Sequence, residues 1–165
     1  MSLKLVVFDV DGCMTNGDIL YDDSNKEIKV FNVKDGLGIV SLKKLGIKTA
    51  IITGRNSKVV SIRAKELGID YLYQGVRKKI DKLDLILKEE SIKYSETAYI
   101  GDDINDVCIL EKVGFSFAPN NATKYAKDAS KIKLKSNGGD GAIREMVEIL
   151  FEYNNLTERF LKLWE

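Results

Sequence analysis

The sequence predicts an α/β fold, a Rossmann-like parallel sheet covered by helices on both faces with one β-hairpin inserted near its start. Short β-branched runs alternate with amphipathic stretches of helical period along most of the chain. The residues just after the strand-like runs are unusually polar, and open parallel sheets place their sites at those carboxyl ends. One segment, residues 18 to 32, breaks the alternation with two strand-like pieces around the polar Asp22-Asp23-Ser24-Asn25.

The elements follow in order. The first strand is the apolar run Leu3 to Val10, and the hairpin pieces are Asp18 to Tyr21 and Lys26 to Asn32. Helical period then returns over Gly36 to Leu45, followed by a strand at Lys48 to Ile52 and a helix at Lys58 to Leu67. Tyr71 to Tyr73 and Thr97 to Ile100 read as strands on either side of a helix at Lys79 to Glu89. A helix at Asp106 to Val113, a strand at Gly114 to Phe117, a helix at Thr123 to Ala129 and a strand at Lys131 to Leu134 continue the pattern, and Gly141 to Glu165 reads as one or two helices. No Pro-rich or Gly/Ser-rich linker, repeat or low-complexity tract interrupts the 165 residues, so a single domain over 1 to 165 is expected.

Bulk properties exclude several classes. Lys+Arg total 26 against 25 Asp+Glu, and a net charge of +1 gives no electrostatic reason to expect nucleic acid or an anionic membrane as partner. The start, Met1-Ser2-Leu3-Lys4, lacks the basic region and long apolar stretch of a secretory signal, and no apolar run reaches membrane-spanning length. Cys13 and Cys108 have no metal-ligand spacing and read as reduced packing thiols, so a cytoplasmic protein is expected. Histidine is absent, which removes serine-histidine and cysteine-histidine catalysis and histidine-ligated zinc.

The strand ends supply the chemistry that is left. The first ends in Phe8-Asp9-Val10-Asp11-Gly12, the second in Ile52-Thr53-Gly54-Arg55, and the fourth in Ile100-Gly101-Asp102-Asp103-Ile104-Asn105-Asp106, while Lys79 opens the helix after the third. Carboxylates gathered this closely repel one another unless a hard divalent cation lies between them, so magnesium is expected on Asp9, Asp102 and the main-chain carbonyl of Asp11. Asp9 is the candidate nucleophile, and Asp11, two residues on, the candidate acid and base. Thr53 offers a hydroxyl and Lys79 a fixed charge to phosphate oxygens, with Asp103 and Asp106 orienting Lys79 and metal-bound water.

These stretches, DVDG with Thr15, ITGR, the lysine after Tyr73-Gln74-Gly75, and GDDINDVCIL, resemble the four motifs of the haloacid dehalogenase superfamily. Within it, FNVKDGLGI, IITGRNSKVV, LYQGVRKK and GGDGAIRE resemble the small capless phosphatases of 3-deoxy-D-manno-octulosonate 8-phosphate. The resemblance implies a fold without a cap domain, magnesium, an aspartyl-phosphate route, and a sugar-acid phosphate as substrate in lipopolysaccharide precursor synthesis. It also implies a homotetramer built by the hairpin, residues 18 to 32, with a neighbouring subunit closing the site. Gly54, Arg55, Arg63 and Lys34 are the substrate-binding residues it suggests, the arginines suiting an anionic sugar acid. The end, NNLTERFLKLWE, departs from the Gly-Lys-rich tail of many relatives.

Other readings stay open at this level. Phosphatases of nine-carbon keto-deoxy or acylneuraminate 9-phosphates resemble the chain over most of its length, although Arg55 stands where those enzymes carry an acidic residue. A dehalogenase would use the Asp9 nucleophile without metal, and would leave Asp11 and the Asp102 cluster without a purpose. A non-catalytic oligomerisation or regulatory module beside a sugar nucleotidyltransferase would not need Asp9, Asp11, Thr53, Lys79 and Asp102 together. The apolar Phe151, Phe160, Leu161 and Trp164 read as packing of the tail.

Overall fold

A computed structural model describes residues 3–165; Met1 and Ser2, where the reading of the N-terminus begins, lie outside the described residues. Six parallel strands form the sheet: β1 (Leu5–Phe8), β4 (Lys48–Ile52), β5 (Tyr71–Tyr73), β6 (Thr97–Ile100), β7 (Phe115–Ala118) and β8 (Ile132–Lys133). Their order is β5-β4-β1-β6-β7-β8. The chain builds outward from β1 on one side and then returns to β1's other edge with β6, so the reversal of strand order falls between β1 and β6. Ligands of open α/β sheets bind at the carboxyl ends of strands at such a reversal.

Successive strand residues face opposite layers. Val6, Phe8, Ile51 and Ile100 pack with Ile39 and Leu42 of α1 (Val33–Lys44), Ala64 of α2 (Lys58–Leu67), and Met146 and Leu150 of α6 (Ala142–Tyr153). Leu5, Val7, Ile52 and Tyr99 pack the other way, against Leu83 and Ile86 of α3 (Lys79–Glu90), Ile109 of α4 (Val107–Leu110) and Ala126 of α5 (Lys124–Ala129). All of these side chains are buried, each Val, Leu, Ile and Met contributing roughly 1.5–3 kcal/mol of transfer free energy.

The expected strands at 48–52, 71–73 and 97–100 and the helix at 58–67 match, and the departures have local causes. Strand β1 is shorter than Leu3 to Val10 because the chain leaves the sheet at Asp9 and turns back, Thr15 N donating to Val10 O at 3.1 Å with Gly12 at φ +87°. Helix α1 begins three residues before Gly36, since Asn32 caps it by accepting from Lys34 N and Asp35 N. That cap is worth about 1 kcal/mol. The helix expected over Asp106 to Val113 is instead a 3-10 turn, Ile104–Asp106, followed by one turn of α4, because the Asp106 carboxylate accepts the main-chain amides of Asp102 and Asp103.

The hairpin is present but short: β2 (Leu20–Tyr21) pairs antiparallel with β3 (Glu27–Ile28), closed by Asp22 N to Lys26 O at 3.0 Å. Ile19, Leu20, Tyr21, Ile28 and Val30 are exposed on it. The tail makes two helices, α6 and α7 (Thr157–Lys162), with Phe151 and Phe160 rings 5.0 Å apart. Trp164 lies under the Lys44 ammonium at 3.9 Å, and both it and Leu161 remain partly open to solvent. Asp35 Oδ1 accepts from Arg144 N at 2.8 Å and so ties α6 to α1. No described helix is long and apolar enough to cross a membrane.

Candidate active site

Asp9 sits one residue beyond β1, and its amide still donates to Ile100 O at 3.1 Å, so the sheet itself fixes its backbone. Its side chain is buried beside that of Lys79, the first residue of α3, with Lys79 Nζ 2.9 Å from Asp9 Oδ1 and 2.6 Å from Asp106 Oδ1. Asp106 is wholly buried and fully employed: Oδ1 also accepts from the Tyr99 hydroxyl at 2.6 Å, and Oδ2 from the amides of Asp102 and Asp103 at 3.0 and 3.2 Å. Gly101 is required beside it, since a Cβ there would lie 2.4 Å from that of Asp106. One side chain thereby orients the lysine and shapes the loop that presents Asp102.

Asp102 follows β6, its main-chain carbonyl held by Thr123 N at 2.9 Å and Thr123 Oγ1 at 3.1 Å. Its carboxylate lies directly over Gly12, where a Cβ would come within 2.1 Å of Oδ2. Gly138 and Gly139 press equally closely on the loop after β1, with a Cβ on Gly138 meeting Gly12 O at 1.8 Å and Gly139 N donating to Cys13 O at 3.0 Å. The Gly138-Gly139-Asp140-Gly141 loop is therefore a buttress for that turn as well as the entry to α6.

The electrostatics follow from burial. Removal from water raises the Asp9 carboxyl to about 6; Lys79 pulls it down, with Asp106 pushing up. Burial, then repulsion from Asp9 and Asp106, raises Asp102 to about 8. For Lys79 burial favours the neutral amine, but Asp9 and Asp106 outweigh it and hold the ammonium above the ordinary lysine range. With Asp106 matched by Lys79 and Tyr99, Asp9 and Asp102 share a deficit of positive charge. Donor atoms of Asp9, Cys13 and Asp102 lie within 4.8 Å of one another. Two hard carboxylates suit a magnesium-sized cation. Burial and the neighbouring Asp9 push the Cys13 thiol well up, and its soft sulfur is a poor match for a hard cation that prefers oxygen ligands.

Asp9, Asp11, Thr53, Gly54, Arg55 and Asp102 open on one cleft of about 270 Å³, which Asp103 also lines. Thr53 is buried at the end of β4, its amide donating to Tyr73 O at 3.0 Å. Asp103 caps the turn after β6 by accepting from Ile104 N at 2.7 Å. Arg55 is at the rim, donating to Glu27 Oε1 at 3.2 Å and Tyr21 OH at 3.4 Å.

The structure does not bring Arg63 and Lys34 to this cleft, contrary to the expected substrate-binding set. Arg63 turns from α2 toward α1, bridging Glu66 at 3.2 Å and stacking on Phe31, and Lys34 is exposed in the first turn of α1. Both line a separate apolar groove with Leu37 and Trp164, because α2 presents Arg63 to its neighbouring helix and not to the sheet edge. Sequence reasoning also missed Tyr99, Asn105, Glu27 and Lys29. Asn105 lines the cleft. Lys29 Nζ lies 2.5 Å from Asp11 Oδ1 and 3.2 Å from Glu27 Oε1. The signal for that pair was two-residue spacing, since Glu27 and Lys29 alternate in step with Phe31, which packs on the core.

Comparison with known proteins bears on this geometry. The haloacid dehalogenase-like hydrolase family model matches residues 71–146. The chain is 37% identical to the 3-deoxy-D-manno-octulosonate 8-phosphate phosphatase KdsC of Haemophilus influenzae over 151 residues, covering 92% of this chain and 84% of that one. The crystal structure of 3-deoxy-D-manno-octulosonate 8-phosphate phosphatase from Moraxella catarrhalis, in complex with magnesium, phosphate and KDO, superposes with a TM-score of 0.95 at 39% identity, covering 99% of this chain and 94% of that one. The cobalt-bound form of the Haemophilus influenzae enzyme gives 0.89 at 36% identity, covering 93% and 90%.

Proposed function

The chain belongs to the 3-deoxy-D-manno-octulosonate 8-phosphate phosphatases among the haloacid dehalogenase-like hydrolases, and from that premise we propose that it hydrolyses this sugar-acid phosphate with magnesium through an aspartyl-phosphate on Asp9. The observation that carries the reading is the contact of a buried Asp9 with Lys79 at 2.9 Å on the floor of a cleft whose rim holds Asp11 and Arg55.

Asp9, Asp102 and the main-chain carbonyl of Asp11 would hold the magnesium ion, which when bound screens the phosphate's charge from the attacking carboxylate. An Asp9 oxygen attacks phosphorus in line, the bond from phosphorus to the ester oxygen breaks, and Asp11 gives its proton to the departing alkoxide. Asp11 then takes a proton from water as that water attacks the aspartyl-phosphate, which releases inorganic phosphate and restores Asp9. Lys79 and the Thr53 hydroxyl receive the phosphate oxygens, and Asp106 keeps Lys79 aimed at them. Gly54 lets the chain approach the phosphate, and Arg55 meets the sugar acid's carboxylate. A basic residue at 55 favours the eight-carbon acid over the nine-carbon ones.

The same proposal includes one catalytic domain over residues 1 to 165, a cytoplasmic location in keeping with two free cysteines, and a homotetramer joined through residues 18 to 32. Ile19, Leu20, Ile28 and Val30, exposed on the hairpin, support that assembly. Sedimentation of Leu20→Glu with Ile28→Glu would read monomers; an unchanged tetramer would remove the hairpin's role. For the reaction, the test is phosphate release from eight- and nine-carbon keto-deoxy acid phosphates with magnesium and with chelator. Preference for the 8-phosphate, lost on chelation, is expected, and metal-independent turnover or a nine-carbon preference would overturn the assignment.

A further inference from the structure

The Lys29 ammonium is almost wholly buried, 1% exposed, although it belongs to a hairpin whose other residues are largely open to solvent. Taking an ammonium out of water costs several kcal/mol unless it is paired, and an apolar side chain at that place would fill the same space without that cost. Its partners are Asp11 Oδ1 at 2.5 Å and Glu27 Oε1 at 3.2 Å, and Glu27 in turn takes Arg55 at 3.2 Å. Charges of alternating sign thus run from Asp11 through Lys29 and Glu27 to Arg55. Asp11 and Arg55, the two ends, both line the cleft, and Lys29 does not. Lys29 is therefore placed to act on the reaction through Asp11 and not through the substrate.

Asp9 and Asp11 differ in what holds them. The sheet and Lys79 fix Asp9, whereas Asp11 stands on the turn before Gly12, beyond the last sheet hydrogen bond, with its side chain 22% exposed. A carboxyl on such a turn swings between cleft and solvent unless something occupies one of its oxygens, and general acid-base catalysis demands hydrogen-bond reach to the reacting atoms. We propose that Lys29 is a positioning residue for Asp11, which lines the cleft: it takes Oδ1 and leaves the other carboxyl oxygen to carry the proton, with Glu27 bracing the ammonium from the other side. The inference deepens the proposed function and rests on Asp11 as acid and base.

The test is a double-mutant cycle in the full-length protein with magnesium, comparing wild type, Lys29→Met, Asp11→Asn and the double variant on 3-deoxy-D-manno-octulosonate 8-phosphate and p-nitrophenyl phosphate. Asp11→Asn should lower kcat by about 100-fold or more. Lys29→Met should lower kcat about tenfold with KM held within about threefold, and should add nothing in the Asp11→Asn background, the signature of two residues acting as one unit. Lys29→Arg should recover most of kcat. A full further loss in the double variant, a KM effect without a kcat effect, or an unaltered kcat in Lys29→Met would each overturn the proposal. If Asp11→Asn keeps wild-type kcat on both substrates, the acid-base assignment falls and Lys29 with it; if Asp11→Asn is impaired and Lys29→Met is not, only the positioning role falls. Should Lys29→Met lose its circular dichroism spectrum, Glu27→Gln runs the same cycle, with a smaller fall in kcat expected and additivity with Asp11→Asn overturning it.

Discussion

The floor and the rim of the cleft are built by opposite means. On the floor, Asp9, Lys79 and Asp106 are buried and interlocked, each fixed by an element of the main fold: the end of β1, the first turn of α3 and the turn after β6. On the rim, Asp11, Lys29, Glu27 and Arg55 depend on a hairpin of two residues per strand, and Arg55 is 39% exposed. Charge placement at the nucleophile thus rests on the main fold, whereas the proposed acid-base residue and the exposed Arg55 rest on the hairpin.

That contrast can be broken at several points. Asp9→Asn keeps the shape of the floor and removes the proposed nucleophile, so turnover should fall about a thousandfold or more while circular dichroism is unchanged. Residual hydrolysis near the wild-type rate would end the mechanism. Asp106→Ala leaves the Lys79 ammonium with Asp9 alone and strips the amides of Asp102 and Asp103 of their acceptor; a loss of about 3–5 kcal/mol in urea unfolding is expected, along with impaired activity. A change under 1 kcal/mol would show that the floor is looser than its geometry. On the rim, Arg55→Ala should alter stability by about 1 kcal/mol or less. On the role proposed for it, its effect belongs in binding, where loss of a charge-assisted hydrogen bond should raise KM for the sugar acid about tenfold with little change in kcat. A kcat-only effect would move Arg55 from recognition to chemistry.

The smallest effect is a slope with pH. With chelator present, Asp9 at about 6 and Asp102 at about 8 bind protons that the unfolded chain, with ordinary aspartates, has already released. The folded state then holds more protons than the unfolded one, so the stability this supplies is present below about pH 4 and is lost as pH rises through both values. Thermal melts should show Tm falling as pH rises from about 5 to about 8, and magnesium should flatten the fall by taking the protons' place. A metal-free Tm that rises over that interval would mean Asp9 and Asp102 are not held as burial implies.

What the sequence determined is what local chemistry determines. Alternating periods gave β4, β5 and β6 their bounds, and residues one or two positions past β1, β4 and β6, with Lys79 at the head of α3, were bound to share one edge once the strands were parallel. Tertiary structure decided everything that depends on rotation about an axis or on a contact distant in sequence. Arg63 lies on a helix that begins close to the site, yet its turn of α2 faces α1, and helical phase alone did not say which neighbour each face would meet. Tyr99 lies within a strand, and only the closing of the Asp106 turn over the sheet gave its hydroxyl a purpose. Lys29 is 18 residues from Asp11; two-residue spacing puts it on the same face as Phe31, but its partner is chosen by how a two-residue ladder folds back over the sheet edge, through packing and ion pairing.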